Sequence, residues 1–177
     1  MKMLLCVLLA IILSISTIAT GQDLSYQNKN YEISKIQKQR IKKYSKLYIA
    51  KNNLWPKIME AIRMVECNKA VCGKSDLDEQ SWGQWQMQVG TARDTAKMIE
   101  LTLPVSDVKL IELLIHNDRI STMLACAYFG WLFKQMNSLD LSIISYNLGI
   151  GNVISKLKKG KQLPVEYLNK VKGRYYE

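Results

Sequence analysis

Histidine is almost absent from this chain, with His116 the single one in 177 residues. No Cys-x-x-Cys pair accompanies it, so a zinc site of ordinary composition is excluded. Glycine (9) and proline (3) are few, which excludes collagen-like and Gly/Pro-rich disordered chains. Four cysteines are too few for a disulfide-dense mini-scaffold. No Gly-x-x-x-x-Gly-Lys-Ser/Thr loop occurs, which removes P-loop phosphoryl chemistry. Acids are also scarce: 15 Asp and Glu stand against 25 Lys and Arg, a formal net charge of +10. What remains is ordinary globular material, 48% hydrophobic and 23% charged. The length suits one domain with a sizeable core and a short appendage.

The appendage reads as residues 1–21. Lys2 supplies a short positive start, Met3 to Leu13 is an unbroken apolar run, and Ala19-Thr20-Gly21 resembles a small-x-small cleavage site. This is the pattern of a secretory signal peptide, with the mature chain opening at Gln22. The apolar run is shorter than the ~20 residues of a spanning helix. Stretched to Ala19, it also allows an uncleaved signal anchor. The expected location is therefore periplasmic or secreted.

Residues 22–51 form a basic N-terminal extension, rich in lysine from Lys29 to Lys51. Ile33, Ile36, Ile41, Tyr44, Leu47 and Tyr48 recur in it at loosely helical spacing, which predicts an amphipathic helix. A second basic run, Lys156 to Arg174, closes the chain. Both runs read either as solvated faces or as attraction to a polyanion, and in an exported protein the latter means wall polymer or membrane surface. Basic and aromatic residues do not interleave in the nucleic-acid manner, so no nucleic-acid partner is expected.

Residues 52–177 carry the predicted catalytic domain, and its signals are helical. Asn52-Asn53 and Pro56 open a helix whose apolar stripe, Ile58, Ile62 and Val65, ends near Glu66. Thr91-x-x-Asp94 reads as a capping pair opening another. Ser106 or Asp107 opens a third, broken at His116-Asn117-Asp118. Ile120, Leu124, Ala127, Tyr128, Trp131 and Leu132 then give a strong 3.6-residue period to about Met136. Leu141 to Ser145 is a short further helix, ended by Asn147 and Gly149. No stretch alternates with period two, so the fold class is mainly α.

Three segments carry chemistry. They are Val65-Glu66-Cys67, then Ser81-Trp82-Gly83-Gln84-Trp85-Gln86 followed by Thr91-Ala92, and then Ser145 to Val153. Glu66 follows the inward stripe at a helix C-terminus, where the helix dipole and desolvation both favour the neutral acid. A carboxyl group kept protonated suits a general acid. The side-chain amides of Gln86 and Asn147 suit sugar hydroxyls and acetamido groups, and Trp82, Trp85 and Tyr146 offer flat apolar faces to sugar rings. Together they read as a glycan cleft with one acid.

The order and spacing of these segments resemble the soluble-type lytic transglycosylases, whose catalytic domain is similar to goose-type lysozyme. In that family a helix-ending Glu-Ser is followed by Gly-Leu-Met-Gln, Thr-Ala and Tyr-Asn-x-Gly-x-Gly-x-Val. Here Glu66-Cys67, Gly83-Gln84-Trp85-Gln86, Thr91-Ala92 and Tyr146-Asn147-Leu148-Gly149-Ile150-Gly151-Asn152-Val153 take those places. The resemblance covers about residues 54–153. Cys67 stands for the family serine and Val89 for the proline before Thr-Ala.

The resemblance implies a single lysozyme-like domain that cleaves peptidoglycan between N-acetylmuramic acid and N-acetylglucosamine. Glu66 would be catalytic, with Gln86, Tyr146, Asn147, Cys67 and Trp85 binding substrate. It implies no metal and no cofactor, glycan strands as partner, and service to a secretion, conjugation or pilus machine. Two alternatives stay open: a hydrolytic muramidase using Asp76, Asp78 or Glu79 as base, and a catalytically weak wall-binding protein. Without residues 1–21 three cysteines remain, Cys67, Cys72 and Cys126, so at most one internal bridge forms. A Cys67–Cys72 bridge requires the helix to stop at Glu66 or Cys67, as the family pattern implies, because five helical residues span roughly 7.5 Å along the axis.

Overall fold

A computed structural model describes residues 32–50, 53–67, 72–74 and 80–176. The leader reading of 1–21 and the acids Asp76, Asp78 and Glu79 lie outside the described residues. The described residues are mainly helical, as expected: α1 (Lys35–Tyr48), α2 (Leu54–Glu66), α3 (Val89–Met98), α4 (Asp107–His116), α5 (Asp118–Met136), α6 (Leu139–Leu148), α7 (Ile150–Lys158) and α8 (Glu166–Tyr176). Two short strands, β1 (Ser81–Trp82) and β2 (Met87–Gln88), pair antiparallel with Ser81 opposite Gln88. No helix of the described residues is long and apolar enough to cross a membrane.

The centre is α5. Leu124, Ala125, Cys126, Phe129 and Leu132 are buried along it, and so are Ser121, Thr122 and Gly130. A helix covered on so many sides needs neighbours around it, and α1, α3, α4 and α6 all pack on it. Gly130 marks the closest approach. A Cβ there would stand 2.3 Å from the Tyr48 carbonyl oxygen, so α1 comes near enough only against glycine. α2 packs on α1 and α8, and α6 packs on α8. The end of α2, the start of α8 and the end of α6 thereby face a common space.

The helix boundaries follow local chemistry. Ser34 and Gln37 form a capping box on α1, each side chain accepting from the other's backbone N–H. Asn117 both ends α4 and caps α5, accepting from Ile120 N–H. α3 begins earlier than Thr91, at Val89 directly after β2, so Thr91 lies in the first turn and its carbonyl accepts from the Thr95 hydroxyl. α6 runs to Leu148 and stops at Gly149, whose φ of +83° is left-handed.

Candidate functional site

A cleft of about 1450 Å³ opens between the end of α2, the β1–β2 turn, the end of α6 and α8. Glu66, Cys67, Gln86, Tyr146 and Asn147 all line it. Five of the six residues to which the resemblance gives a role therefore meet in one place, and Trp82, like Trp85, is not among the lining residues. Ile58 and Ile62 bury fully beneath α2, and Glu66, on the final turn, comes off that helix at the cleft wall.

Trp85 departs from expectation. Its side chain is 1% exposed and is not part of the cleft lining, so it presents no face to a sugar ring. Its indole Nε1–H donates to Thr122 Oγ1 at 3.2 Å, and its carbonyl accepts from the Tyr146 hydroxyl at 3.1 Å. The physical reason is the left-handed backbone at Gln86, φ +43°, which turns the chain after Gln84 and Trp85, both buried. Trp85 goes to the core beside α5, and Gln86 goes to the cleft. Trp85 is thus a pillar under the site.

The turn itself is tightly built. Gly83 has φ +74°, and Gln86 has φ +43°, a left-handed conformation costly for a residue with a side chain. Hydrogen bonds offset that cost. The Gln86 N–H donates to the Gly83 carbonyl at 3.1 Å, and Gln86 Nε2 donates to the same carbonyl at 2.7 Å. The Gly83 N–H in turn reaches the Gly73 carbonyl at 2.9 Å. The Gln86 amide is therefore held at the cleft wall by the fold.

Cys67 also differs from its expected role. It is joined to Cys72 by a disulfide with Cα atoms 6.1 Å apart, so it has no S–H to offer a ligand. The span is available because α2 stops at Glu66 and Cys67 is extended, with φ −154° and ψ 113°. Cys126 is buried as a free thiol, and burial pushes it far above the ordinary thiol range. Thiol titration of unfolded, unreduced protein from Gln22 onward should find one free thiol per chain; three would contradict the bridge.

Tyr167, on the first turn of α8, was not singled out from the sequence. Its hydroxyl donates to Glu66 Oε1 at 2.5 Å. The one available signal was Pro164 ahead of Glu166, a helix-start pattern inside a segment read only as a basic run. Burial pushes the Tyr167 phenol well above its ordinary value of 10.0, and the Glu66 charge and hydrogen bond act in the same direction. Tyr146 is raised well above 10.0 too, by burial first and by Glu66 second. Glu66 thus faces two phenols that hold their protons.

The sign of the pH effect follows. A group whose pKa is raised on folding contributes stability that is full below its unfolded value, near 10, and lost as pH climbs toward the folded value. Stability to urea should therefore decline from about pH 9.5 upward, and a Tyr146→Phe/Tyr167→Phe double variant should show a flatter decline over the same range. Identical slopes in both proteins would count against buried, proton-holding phenols.

Comparison with known proteins gives a consistent picture. The family described as the transglycosylase SLT domain matches residues 43–169. No curated protein matches the chain. Among solved structures, an inactive mutant of the lytic transglycosylase Slt from Pseudomonas aeruginosa aligns with a TM-score of 0.55 at 22% identity, over 90% of this chain. The 70 kDa soluble lytic transglycosylase from Escherichia coli aligns with a TM-score of 0.56 at 20% identity, over 81% of this chain. The present chain spans only 24% and 20% of the lengths of those two proteins. At such identities the likeness is one of fold.

Proposed function

Because the chain belongs to the transglycosylase SLT domain family, we propose that it is a peptidoglycan lytic transglycosylase. It cleaves the β-1,4 bond between N-acetylmuramic acid and N-acetylglucosamine and opens the wall locally. The observation that carries this reading is Glu66, a carboxyl group at the end of α2 on the wall of a polymer-sized cleft, with the Tyr167 hydroxyl on one of its oxygens. Gln86, Tyr146 and Asn147 stand around it.

In this reading Glu66 acts first as general acid and donates its proton to the glycosidic oxygen. Tyr167 fixes one carboxyl oxygen, which sets the direction in which the other faces. The acetamido group of the muramyl sugar stabilises the cation that develops at C1. Glu66, now a carboxylate, takes the proton of the muramyl 6-hydroxyl, whose oxygen closes onto C1. The product is a 1,6-anhydromuramyl end. Neither a second carboxylate nor a water is consumed, which sets the scheme apart from two-carboxylate glycosidases. The Gln86 amide and Asn147 suit the sugar hydroxyl and acetamido groups. Action on wall polymer places the enzyme in the periplasm or outside the cell, in keeping with the leader-like residues 1–21.

Mass spectrometry of muropeptides released from purified peptidoglycan tests this directly. Anhydro products lie one water below hydrolysed ones. Hydrolysed ends would instead assign a muramidase, with a base from Asp76, Asp78 or Glu79. Binding with no release would leave a wall-binding protein.

A further inference from the structure

We infer that Arg63 is a positioning residue for Glu66, and that Gln37 of α1, upstream of the family-matched residues 43–169, completes its hold on the acid-bearing helix end. The inference rests on the reading of Glu66 as the general acid.

Arg63 lies one turn before that acid and is 1% exposed. A guanidinium so deeply buried must be hydrogen-bonded, or its desolvation would be prohibitive. Its Nη1 donates to the carbonyl of Cys67, the extended residue that follows the end of α2, and its Nε donates to Gln84 Oε1 at 3.2 Å. Arg63 therefore grips both flanks of the site at once: the residue after the acid, and the turn that carries Gln86. Its own carbonyl accepts from the Cys67 N–H at 3.0 Å, so Cys67 is held to Arg63 through both backbone polar groups. The disulfide to Cys72 holds the same residue through its side chain.

Gln84 is a relay. Its Oε1 accepts from Arg63 and also from Gln37 Nε2, at 2.7 Å. Gln37 Nε2 reaches Asp118 Oδ1 as well, at 3.2 Å. Asp118 is paired with Arg40 and accepts from Thr122 Oγ1 at 3.3 Å, the same hydroxyl that receives the Trp85 indole N–H. The capping box at the head of α1 engages the Gln37 side chain through Oε1. The amide is thus oriented at both ends, with its nitrogen aimed at Gln84. Gln84 stands where the resembling family has leucine, which could not accept from either partner. Gln37 and Gln84 together build a polar link that joins the start of α1 to the end of α2.

Such a link acts on the rate through Glu66. A shift of the helix end moves the proton donor relative to the scissile oxygen, and misplacement of a reacting group costs rate steeply. Glycan contacts would change less, because Asn147 and Tyr146 lie on α6 and the Gln86 amide is held separately by the Gly83 carbonyl at 2.7 Å. The signature is therefore loss in kcat with KM retained.

The test uses protein from Gln22 to Glu177 and three variants: Arg63→Lys, which keeps the charge but cannot span both acceptors, Gln37→Met, and Gln37→Glu, which keeps an acceptor but loses the donor to Gln84. Turnover is measured per folded molecule on a soluble glycan strand, and exchange of the Cys67 amide hydrogen is followed without substrate. Arg63→Lys should lower kcat by at least about tenfold and Gln37→Met by about three- to tenfold, each with KM within about twofold. Gln37→Glu should resemble Gln37→Met. Exchange at Cys67 should quicken in all three. Lower melting temperature with wild-type kcat per folded molecule and wild-type exchange would overturn the proposal. A wild-type protein that cleaves nothing would remove the lytic reading instead, and the exchange measurement would then decide whether the hold on the helix end exists.

Discussion

Glu66→Gln should reduce release of muropeptides from purified peptidoglycan by at least about 10²-fold, with little change in the unfolding midpoint. The amide has nearly the shape of the carboxylic acid, and its Oε1 can still accept from the Tyr167 hydroxyl, which reaches Glu66 at 2.5 Å. The cleft lining is therefore preserved. What disappears is the transferable proton and the base that later collects one. Tyr167→Phe offers the complementary result: the acid stays, its orientation loosens, and turnover falls by a smaller factor of about tenfold. Substantial cleavage by Glu66→Gln, with Asp78→Asn inactive, would transfer the role to the acidic stretch and overturn the mechanism.

Gly83→Ala should be among the most damaging single substitutions for stability, at about 3 kcal/mol or more. Two independent causes add. With φ +74° the residue lies in left-handed backbone, which costs an L side chain roughly 1–2 kcal/mol. A Cβ at this position would also meet the Leu114 carbonyl oxygen at 2.1 Å and its carbon at 2.7 Å. These are backbone atoms of α4 and cannot rotate away, so the β1–β2 turn or α4 has to move, which costs a further 1–3 kcal/mol by analogy with overpacked cores. Movement of that turn displaces Gln86, so activity per folded molecule should fall too. Gly151→Ala is the control. It lies within α7 with nothing within 4 Å of an added Cβ, and its stability should hold or rise slightly. Equal urea midpoints for Gly83→Ala and the wild type would refute the packing described at this turn.

Much of this site could be read along the chain because its motifs are local. Glu66 ends an apolar stripe, and a stripe of Ile58 and Ile62 at helical spacing has to face a core. The break at Asn117 was visible because an asparagine side chain can cap the next helix as the previous one ends. Gly149 ended α6 for the same kind of reason, a backbone angle that glycine adopts without cost.

Residues whose role depends on distant partners were not legible. Trp85 looked like a sugar platform because an aromatic ring beside a glycine turn has the right chemistry for one. Whether such a ring faces solvent or core depends on the turn's twist and on Thr122, 37 residues away. α7 and α8 were hidden under lysines, because charge dominates the composition of 156–174 while burial of Val153, Leu168 and Val171 sets the helices against the core. Tyr167 reaches Glu66 across 101 residues, a contact with no local signature.

The sequence by itself therefore determined the helical class, the ends of α2, α5 and α6, and a candidate acid with amide-bearing neighbours, since these depend on periodicity, capping and backbone angles within a few residues. Tertiary structure decided which side chains face the cleft, which phenol holds the acid, and that a buried arginine and glutamine support it. The reason is physical. Helix formation and termination are set by neighbours along the chain, whereas burial, hydrogen-bond satisfaction and orientation at a site are set by whichever elements pack there.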